Sequence, residues 1–301
     1  MGRLRVGTSS WTDKTLLESG WYPPEANTPE ERLKFYASRF DVVEVDSSYY
    51  GLPSRRNAEL WVVRTPSDFT FHVKAFSIMT GHPTRARALP KDLREALPDE
   101  VASKATLYPK DLPPEAVDRV WEIFREALMP LHSAGKLGVV MFQFPKWFVP
   151  GKRSREEILA ARDRMPDYDV AVEFRRRTWL EGEGSARRTL DFLGSEQIPL
   201  VCVDMPQGFD SSMPPIAEAT SQRYGLVRFH GRREETWEKK GIPVVERFKY
   251  DYSDEELKEW APKVSDLVEE TKETHALFNN CYRDYGVRNA RTFADLVNEP
   301  E

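Results

Sequence analysis

The chain is poor in cysteine: Cys202 and Cys281 are its only two, and their spacing matches neither a CxxC pair nor a zinc site. This excludes a disulfide framework and a cysteine-based metal centre, and it fits a reducing compartment. No run approaches the roughly 20 apolar residues that a membrane-spanning helix needs. The N-terminal sequence MGRLRVGTSSW contains no apolar signal region, and glycine-rich nucleotide turns, internal repeats and low-complexity tracts are missing. These absences indicate a soluble cytoplasmic protein.

An excess of positive charge is also missing. The chain has 44 Lys and Arg against 49 Asp and Glu, a formal net charge of -5, so it is not a protein that coats polyanions over its whole surface. Any binding of phosphate or nucleic acid must come from a local patch. Hydrophobic residues make up 40% and aromatic residues 12% of the 301 positions, which is enough for a large core and suits one α/β barrel.

What the chain does contain is an alternation of short apolar runs with amphipathic segments. The runs are rich in Val and Phe and are bounded by Pro, Gly or Asp, which predicts strands. They cover residues 4–10, 42–48, 69–75, 137–144, 169–175, 198–204, 225–231 and 275–280. Eight strands alternating with helices predict a parallel sheet, and in about 300 residues they favour a (β/α)8 TIM barrel forming a single domain over 1–301. An open doubly wound sheet is the alternative.

Capping patterns mark where helices should begin. Thr28, Ser154 and Ser253 are each followed three residues later by Glu, the pattern of a capping box. Residues 114–135 predict a helix with one apolar face that ends near Gly135. Residues 76–113 form an unusually long connection after the third strand, which in a barrel would lie over the C-terminal mouth.

Several runs together resemble the YecE-like family, a domain of unknown function (DUF72) with a TIM-barrel fold. They are VGTSSW (6–11), FYASRFDVVEVDSSYYGLP (35–53), FTFHVKAF (69–76), MFQFP (141–145), VEFR (172–175), RFHGR (228–232), YDYSDEEL (250–257) and FNNCYRDYGVRNA (278–290). The resemblance spans nearly the whole chain and implies the barrel, but it implies no reaction. Two positions depart from the usual family pattern: Ser10 stands where Gly is common, and Cys281 where His is common.

Within a barrel, alternation of side chains along each strand predicts which residues face inward. On the second, third, fifth, sixth and seventh strands, the apolar face should pack under the helices and the polar face should point into the barrel. The predicted catalytic residues at the C-terminal end are Glu44, Asp46, Lys74, Glu173, Asp204 and His230, and His72 is a further candidate. The predicted substrate-binding residues are Trp11, Ser48, Tyr49, Gln143, Arg175, Arg228, Arg232, Asn279 and Asn280. Because barrel interiors are mostly branched apolar residues, so many charges predict a site rather than an ion-pair network that only fills the barrel.

Basic residues also collect in the loops that follow the predicted strands. These loops cover residues 53–56, 81–87, 150–155, 175–179, 231–233 and 282–291. Arginine near a helix N-terminus opposes the helix dipole, so this arrangement predicts a positive rim that binds something anionic. Solvated loop charges paired with nearby carboxylates are the alternative.

Two classes of function fit these features. The first is a hydrolase or isomerase that acts on a polar, anionic substrate (phosphorylated, sugar or nucleic acid) by acid–base chemistry of carboxylates and Lys74. A divalent metal ion could assist, with Glu44, Asp46, Glu173, Asp204 and His230 as possible ligands. The second is a non-catalytic module that binds nucleic acid through the basic rim and through aromatic residues that also follow strand ends: Trp11, Tyr49, Tyr50, Trp147, Phe148 and Trp179.

Overall fold

Eight parallel strands close into a barrel in the computed structural model, which describes residues 2–298. We number them β1 Arg3–Thr8, β2 Val42–Val45, β3 Thr70–Lys74, β4 Leu137–Gln143, β5 Asp169–Glu173, β6 Val201–Asp204, β7 Tyr224–Phe229 and β8 Glu273–Phe278. The order around the sheet is β5-β4-β3-β2-β1-β8-β7-β6. A parallel bridge between Val172 and Leu200 spans the remaining gap between β5 and β6. The TIM-barrel prediction is therefore confirmed, and the open doubly wound alternative is wrong.

Seven long helices pack around the barrel. They are α1 Pro29–Ala37, α2 Arg55–Val63, α3 Pro114–Ser133, α4 Lys152–Asp163, α5 Glu183–Ser195, α6 Ala261–Glu270 and α7 Tyr285–Asn298. Shorter helices lie in the connections, at Lys14–Glu18, Lys91–Glu95, Asp99–Ala102, Glu234–Trp237, Val244–Arg247 and Asp254–Lys258. Within residues 2–298, no helix is both long and apolar enough to cross a membrane.

One connection departs from the regular alternation of strand and helix. The segment 205–223 joins β6 to β7 without forming a helix. Its sequence contains Pro206, Gly208 and the pair Pro214-Pro215. Proline removes a backbone donor and glycine adds backbone entropy, so neither favours a helix here.

The predicted helix starts were correct at two of the three capping boxes. The Thr28 hydroxyl accepts from the Glu31 N–H and the Glu31 carboxylate accepts from the Thr28 N–H, and Ser253 repeats the arrangement with Glu256. The third prediction was wrong, because α4 begins at Lys152 and the Ser154 hydroxyl donates instead to the Val149 carbonyl. The helix predicted over 114–135 is α3, and Gly135 beyond it has the positive φ of +66° that ends helices.

The long connection after β3 has structure of its own. Residues Thr84–Arg85 pair antiparallel with Thr106–Leu107, and two short helices lie between them. Leu89, Leu93 and Leu97 are buried in this segment. His82, at its start, contacts Tyr49 edge-to-face, so the segment reaches the mouth of the barrel.

Candidate active site at the mouth of the barrel

A buried arginine on β7 holds together carboxylates from two other strands. Arg228 is 1% exposed, and its Nε and Nη2 donate to the Glu44 carboxylate at 2.9 and 2.8 Å. Its Nη1 donates to Glu173 Oε2 at 2.5 Å, and the Ser9 hydroxyl donates to Glu44 at 3.0 Å. Charge-assisted, two-pronged contacts of this kind fix geometry strongly. Arg228, predicted to bind substrate, is therefore fully engaged by the two glutamates.

The other oxygen of Glu173 is surrounded by donors. Oε1 accepts from Arg175 Nη2 and Gln143 Nε2, each at 2.7 Å, and lies 3.1 Å from His230 Nε2. Burial by itself would raise the pKa of Glu173, but Arg175, Arg228 and His230 together hold it well below its usual range. Glu173 is thus a carboxylate that stays ionised and positions its neighbours.

His230 sits in this network as a neutral imidazole. Its complete burial and the adjacent Arg175 lower its pKa to about 3. Its Nε2 lies 3.1 Å from Glu173 Oε1 and 3.0 Å from Arg175 Nη2, and its Nδ1 lies 2.9 Å from Asn279 Nδ2. The structure therefore brings together five of the predicted residues: Glu173, Arg175, His230, Gln143 and Asn279.

Two predicted catalytic residues, Asp46 and Lys74, are not part of this hydrogen-bonded network. Asp46 lies in the turn directly after β2, and Lys74 is the last residue of β3. Among residues 2–298, neither the Asp46 carboxylate nor the Lys74 ammonium forms a hydrogen bond or an ion pair. The Lys74 Nζ lies 4.7 Å from the ring centre of Tyr49, close enough for a cation–π contact.

The surroundings shift the pKa values of both groups toward 7. Burial and the charge of Glu44 raise the pKa of Asp46 to about 6, against the opposing effect of Lys74. Burial and the charge of Arg228 lower the pKa of Lys74 to about 8, although Glu44, Glu173 and Asp46 act in the other direction. Near pH 7, each group can therefore either give or take a proton.

Both side chains line a cavity of about 450 Å³ at the C-terminal end of the strands. The lining residues are Ser10, Asp13, Asp46, Tyr49, Tyr50, Lys74, Gln143, Arg175, Val245, Arg247, Phe248, Asn279 and Cys281. Four of them, Tyr49, Gln143, Arg175 and Asn279, were predicted to bind substrate. Ser10 and Cys281, the two departures from the family pattern, both lie in this wall.

Sequence reasoning missed four residues of the cavity: Asp13, Val245, Arg247 and Phe248. Asp13 looks from the sequence like a helix cap, and its carboxylate does accept from the Thr15 N–H at 2.8 Å. Arg247 and Phe248 come from the long connection between β7 and β8. No periodic pattern there marks a side chain that returns to the mouth.

Asp204 and Arg232 do not line the cavity. The prediction that Asp204 faces the interior of the barrel is wrong. Asp204 pairs in register with Phe229, which packs against Trp260 on the helix side of the barrel. Its carboxylate accepts from Arg232 Nε and Nη2, the Tyr252 hydroxyl and Trp260 Nε1. Both charges are neutralised there, so this pair holds the connection after β7 in place.

Three predicted substrate-binding residues serve the framework instead. Trp11 is buried and packs edge-on against Trp61. The Ser48 hydroxyl donates to the Lys74 carbonyl at 2.6 Å, which fixes the end of β3. Asn280 donates through Nδ2 to the Tyr250 carbonyl at 2.9 Å and faces α7.

His72, the further candidate, lies deeper in the barrel. Its Nε2 is 2.6 Å from Nδ1 of His275, and its Nδ1 accepts from the Val139 N–H at 2.9 Å. The side chain is fully buried, and burial and the neighbouring His275 lower its pKa well below the usual range. His72 therefore does not reach the cavity.

The five residues considered as metal ligands do not form one ligand set. Glu44 and Glu173 are bonded to Arg228, and Asp204 lies on the other face of the wall. Across the described part of the chain, no group of three or more His, Cys, Asp or Glu is arranged to hold a metal ion. The fit of a divalent ion to these residues is poor.

The basic rim is largely neutralised by neighbouring carboxylates. Ion pairs in the predicted loops include Arg55–Glu59, Arg153–Glu157, Arg176–Asp210, Arg177–Glu181, Arg288–Asp251 and Arg291–Asp295. Such surface pairs contribute little to stability, but they reduce the positive potential of the rim. The cavity lining carries charges of both signs: Lys74, Arg175 and Arg247 beside Asp13 and Asp46.

A family model described as a protein of unknown function, DUF72, matches residues 5–301. The chain belongs to the DUF72 family. UPF0759 protein YunF of Bacillus subtilis (strain 168) is 31% identical over 299 residues, which cover 98% of this chain and 94% of YunF. The crystal structure of a DUF72 protein from Thermotoga maritima MSB8 is 30% identical with a TM-score of 0.76, covering 99% of this chain and 100% of that one.

A second DUF72 structure, from Enterococcus faecalis V583, is 24% identical with a TM-score of 0.74. It covers 100% of this chain and 99% of the other, and at this identity it supports the fold alone. The family description names no reaction. The chemistry of this DUF72 protein must therefore come from the side chains of the cavity.

Proposed function

We propose that this DUF72 protein is an enzyme, a hydrolase or isomerase, that performs acid–base chemistry on a small polar substrate carrying an anionic group. The observation that carries the proposal is the unpartnered pair Asp46 and Lys74 in the cavity wall. Their pKa values, about 6 and about 8, lie on either side of neutrality. Perturbed groups that converge in a cavity at the C-terminal end of a TIM barrel mark functional sites.

Asp46 and Lys74 take different roles in this chemistry. Asp46 is ionised in most molecules at pH 7 and accepts a proton from the substrate, then returns it later in the reaction. Lys74 is mostly charged and donates a hydrogen bond to an oxygen that becomes negative in the transition state. Glu173, His230 and Asn279 hold the floor of the site rigid through the network described above.

Two arginines in the wall support an anionic substrate. Arg175 and Arg247 both line the cavity. Arg175 keeps its ion pair with Glu173, and the two guanidinium groups together offer charged donors to a phosphate or carboxylate oxygen. The volume of about 450 Å³ suits a small molecule.

The nucleic-acid-binding alternative has less support. A strand-binding surface needs unpaired basic residues along a groove, and many rim arginines are paired with carboxylates, as in Arg176–Asp210 and Arg288–Asp251. Binding of a single-stranded oligonucleotide that weakens with salt and yields no product would favour that alternative.

The test measures chemistry without assuming one product. Wild-type protein is incubated in D2O with a panel of sugar phosphates, keto acids and phosphate esters. Proton NMR reports exchange of carbon-bound protons, and phosphorus NMR reports ester hydrolysis. For any compound that the wild type converts, we expect Asp46→Asn and Lys74→Met to lower the rate by about 100-fold or more.

The matched controls replace residues that do not line the cavity. Asp68→Asn removes a carboxylate that pairs with Arg3 near the N-terminal end of the barrel, and Lys152→Met removes an exposed lysine of α4. Both variants should keep the wild-type rate. Conversion that survives unchanged in Asp46→Asn and Lys74→Met would refute the proposal.

A further inference from the structure

Lys74 is a partly buried lysine whose ammonium forms no ion pair with a carboxylate within residues 2–298. Arg228 bonds to both Glu44 and Glu173, so the two nearby glutamates are already occupied. The Nζ of Lys74 faces the cavity, and the Tyr49 ring 4.7 Å away forms one side of its surroundings. A lysine in this position keeps its amine exposed to a bound ligand.

Lys136 shows that burial does not by itself leave a lysine ammonium without hydrogen-bond acceptors. Lys136 is 5% exposed, and its Nζ donates to the Val62 carbonyl at 2.7 Å and to the Thr65 carbonyl and hydroxyl at 2.8 and 3.0 Å. Its three donor positions are used by the protein, which is the ordinary structural use of a buried ammonium. Lys74 has no such acceptors among the described residues.

We propose that Lys74 forms a covalent imine with the carbonyl carbon of an aldehyde or ketone substrate that also carries a phosphate or carboxylate group. This inference rests on the proposed function and names the substrate class of the same cavity. The anionic group lies against Arg175 and Arg247, whose guanidinium groups both belong to residues of the cavity wall. The carbonyl carbon then lies against Nζ.

The free amine needed for this step is available near neutral pH. Burial, with the charge of Arg228, lowers the pKa of Lys74 from 10.5 to about 8. At pH 7 this makes the unprotonated amine roughly 300 times more abundant than on an ordinary lysine. Lysine nucleophiles in enzymes are commonly activated by this kind of desolvation.

The bond changes balance without an oxidant or a reductant. Asp46 first takes a proton from the Lys74 ammonium, which leaves a free amine. The Nζ lone pair then forms a bond to the carbonyl carbon, and the carbonyl electron pair moves to oxygen, which takes that proton from Asp46. Asp46 next removes one proton from the nitrogen and gives it to the hydroxyl, which leaves as water while the nitrogen lone pair forms the C=N bond. The product is a C=N bond and one water molecule, and the protonated imine makes a neighbouring C–H bond acidic enough for Asp46 to remove its proton.

Trapping with borohydride tests the imine directly. Wild-type protein is incubated at pH 7 with glycolaldehyde phosphate, reduced with sodium borohydride, and examined by intact mass and peptide mapping. We expect one adduct, on Lys74, formed at least 10-fold faster than on any other lysine, including exposed Lys152. Uncharged glycolaldehyde should label Lys74 at least 10-fold more slowly, because it lacks the group that the arginines bind.

The variant Lys74→Arg separates the imine from the acid–base proposal. It keeps the positive charge but cannot form an imine, so it should show no adduct and no conversion of a carbonyl substrate. Conversion that persists in Lys74→Arg but fails in Lys74→Met would overturn the imine and leave the acid–base function standing. The imine proposal would also be overturned if the labelling rates of the wild-type lysines followed their solvent exposure, so that Lys152 reacted at least as fast as Lys74.

Discussion

Replacing Arg228 with methionine removes the buried guanidinium that joins Glu44 to Glu173. Methionine fills a similar volume, so the main loss is electrostatic: two buried carboxylates lose their shared partner. Removing one member of a buried ion pair costs about 3–5 kcal/mol, since the remaining charge stays desolvated. We therefore expect the free energy of unfolding at pH 7 to fall by about that amount.

The pH dependence of this loss has a definite sign. In the wild type the pKa of Glu173 is held well below its usual range, so its contribution to stability is present above an unfolded pKa of about 4.3 and disappears as the pH falls below it. In Arg228→Met, Glu173 keeps Arg175 but loses the charge of Arg228, so its folded pKa should rise. Less stabilisation then comes from its ionisation as the pH rises, so the deficit should be smallest near pH 4 and largest near pH 7.

Urea denaturation at pH 4, 5, 6 and 7, followed by circular dichroism, measures this deficit. Arg162→Met serves as the control, because Arg162 is 35% exposed and pairs with Asp163 and Glu196 on the surface. That control should cost no more than about 1 kcal/mol. A loss below about 1 kcal/mol for Arg228→Met, or an equal loss at pH 4 and pH 7, would refute the reasoning.

Two further substitutions test the framework. Asp204→Asn should lower the free energy of unfolding by about 1–3 kcal/mol in urea denaturation, because an amide cannot satisfy the Arg232, Tyr252 and Trp260 donors together; an unchanged midpoint would contradict this. Gly138→Ala should cost about 1–3 kcal/mol, since its Cβ would lie 2.6 Å from Cε1 of the buried His72. Gly51→Ala, where a Cβ meets nothing within 4 Å, should stay within about 0.5 kcal/mol, and equal effects at both glycines would contradict the packing argument.

Strand alternation was sufficient to place the inward residues of most strands. Glu44, Lys74, Glu173 and Arg228 each occupy the face that a period of two predicts. Those strands carry clear polar residues on one face and apolar residues on the other. The alternation of strands and helices likewise predicted the barrel, although the helix between β6 and β7 is missing.

The same rule failed on β6 for a physical reason. Both faces of a barrel strand are buried, so an apolar run does not reveal which face points inward. Cys202 and Asp204 lie on the helix side of the wall, where the Cys202 thiol approaches the Glu218 carbonyl. The partners of Asp204, Tyr252 and Trp260, come from a later connection that no local pattern links to this strand.

The sequence also could not predict which charged side chains would form ion pairs with one another. Arg228 reads as a substrate-binding arginine, but its place beside two buried glutamates makes it the cation that neutralises them. Lys74, by contrast, loses its candidate partners to Arg228 and remains free. Which cation is paired and which is left over depends on three-dimensional distances, which strand periodicity does not supply.

The central claim is that Asp46 and Lys74 titrate near neutrality inside the cavity. An NMR titration of protein labelled with 13C at lysine Cε tests it most directly. We predict one lysine resonance with a pKa of about 8, absent from Lys74→Met, and shifted to a still lower pKa in Asp46→Asn because a nearby negative charge is lost. A Lys74 resonance that titrates near 10.5 and does not respond to Asp46→Asn would contradict the account.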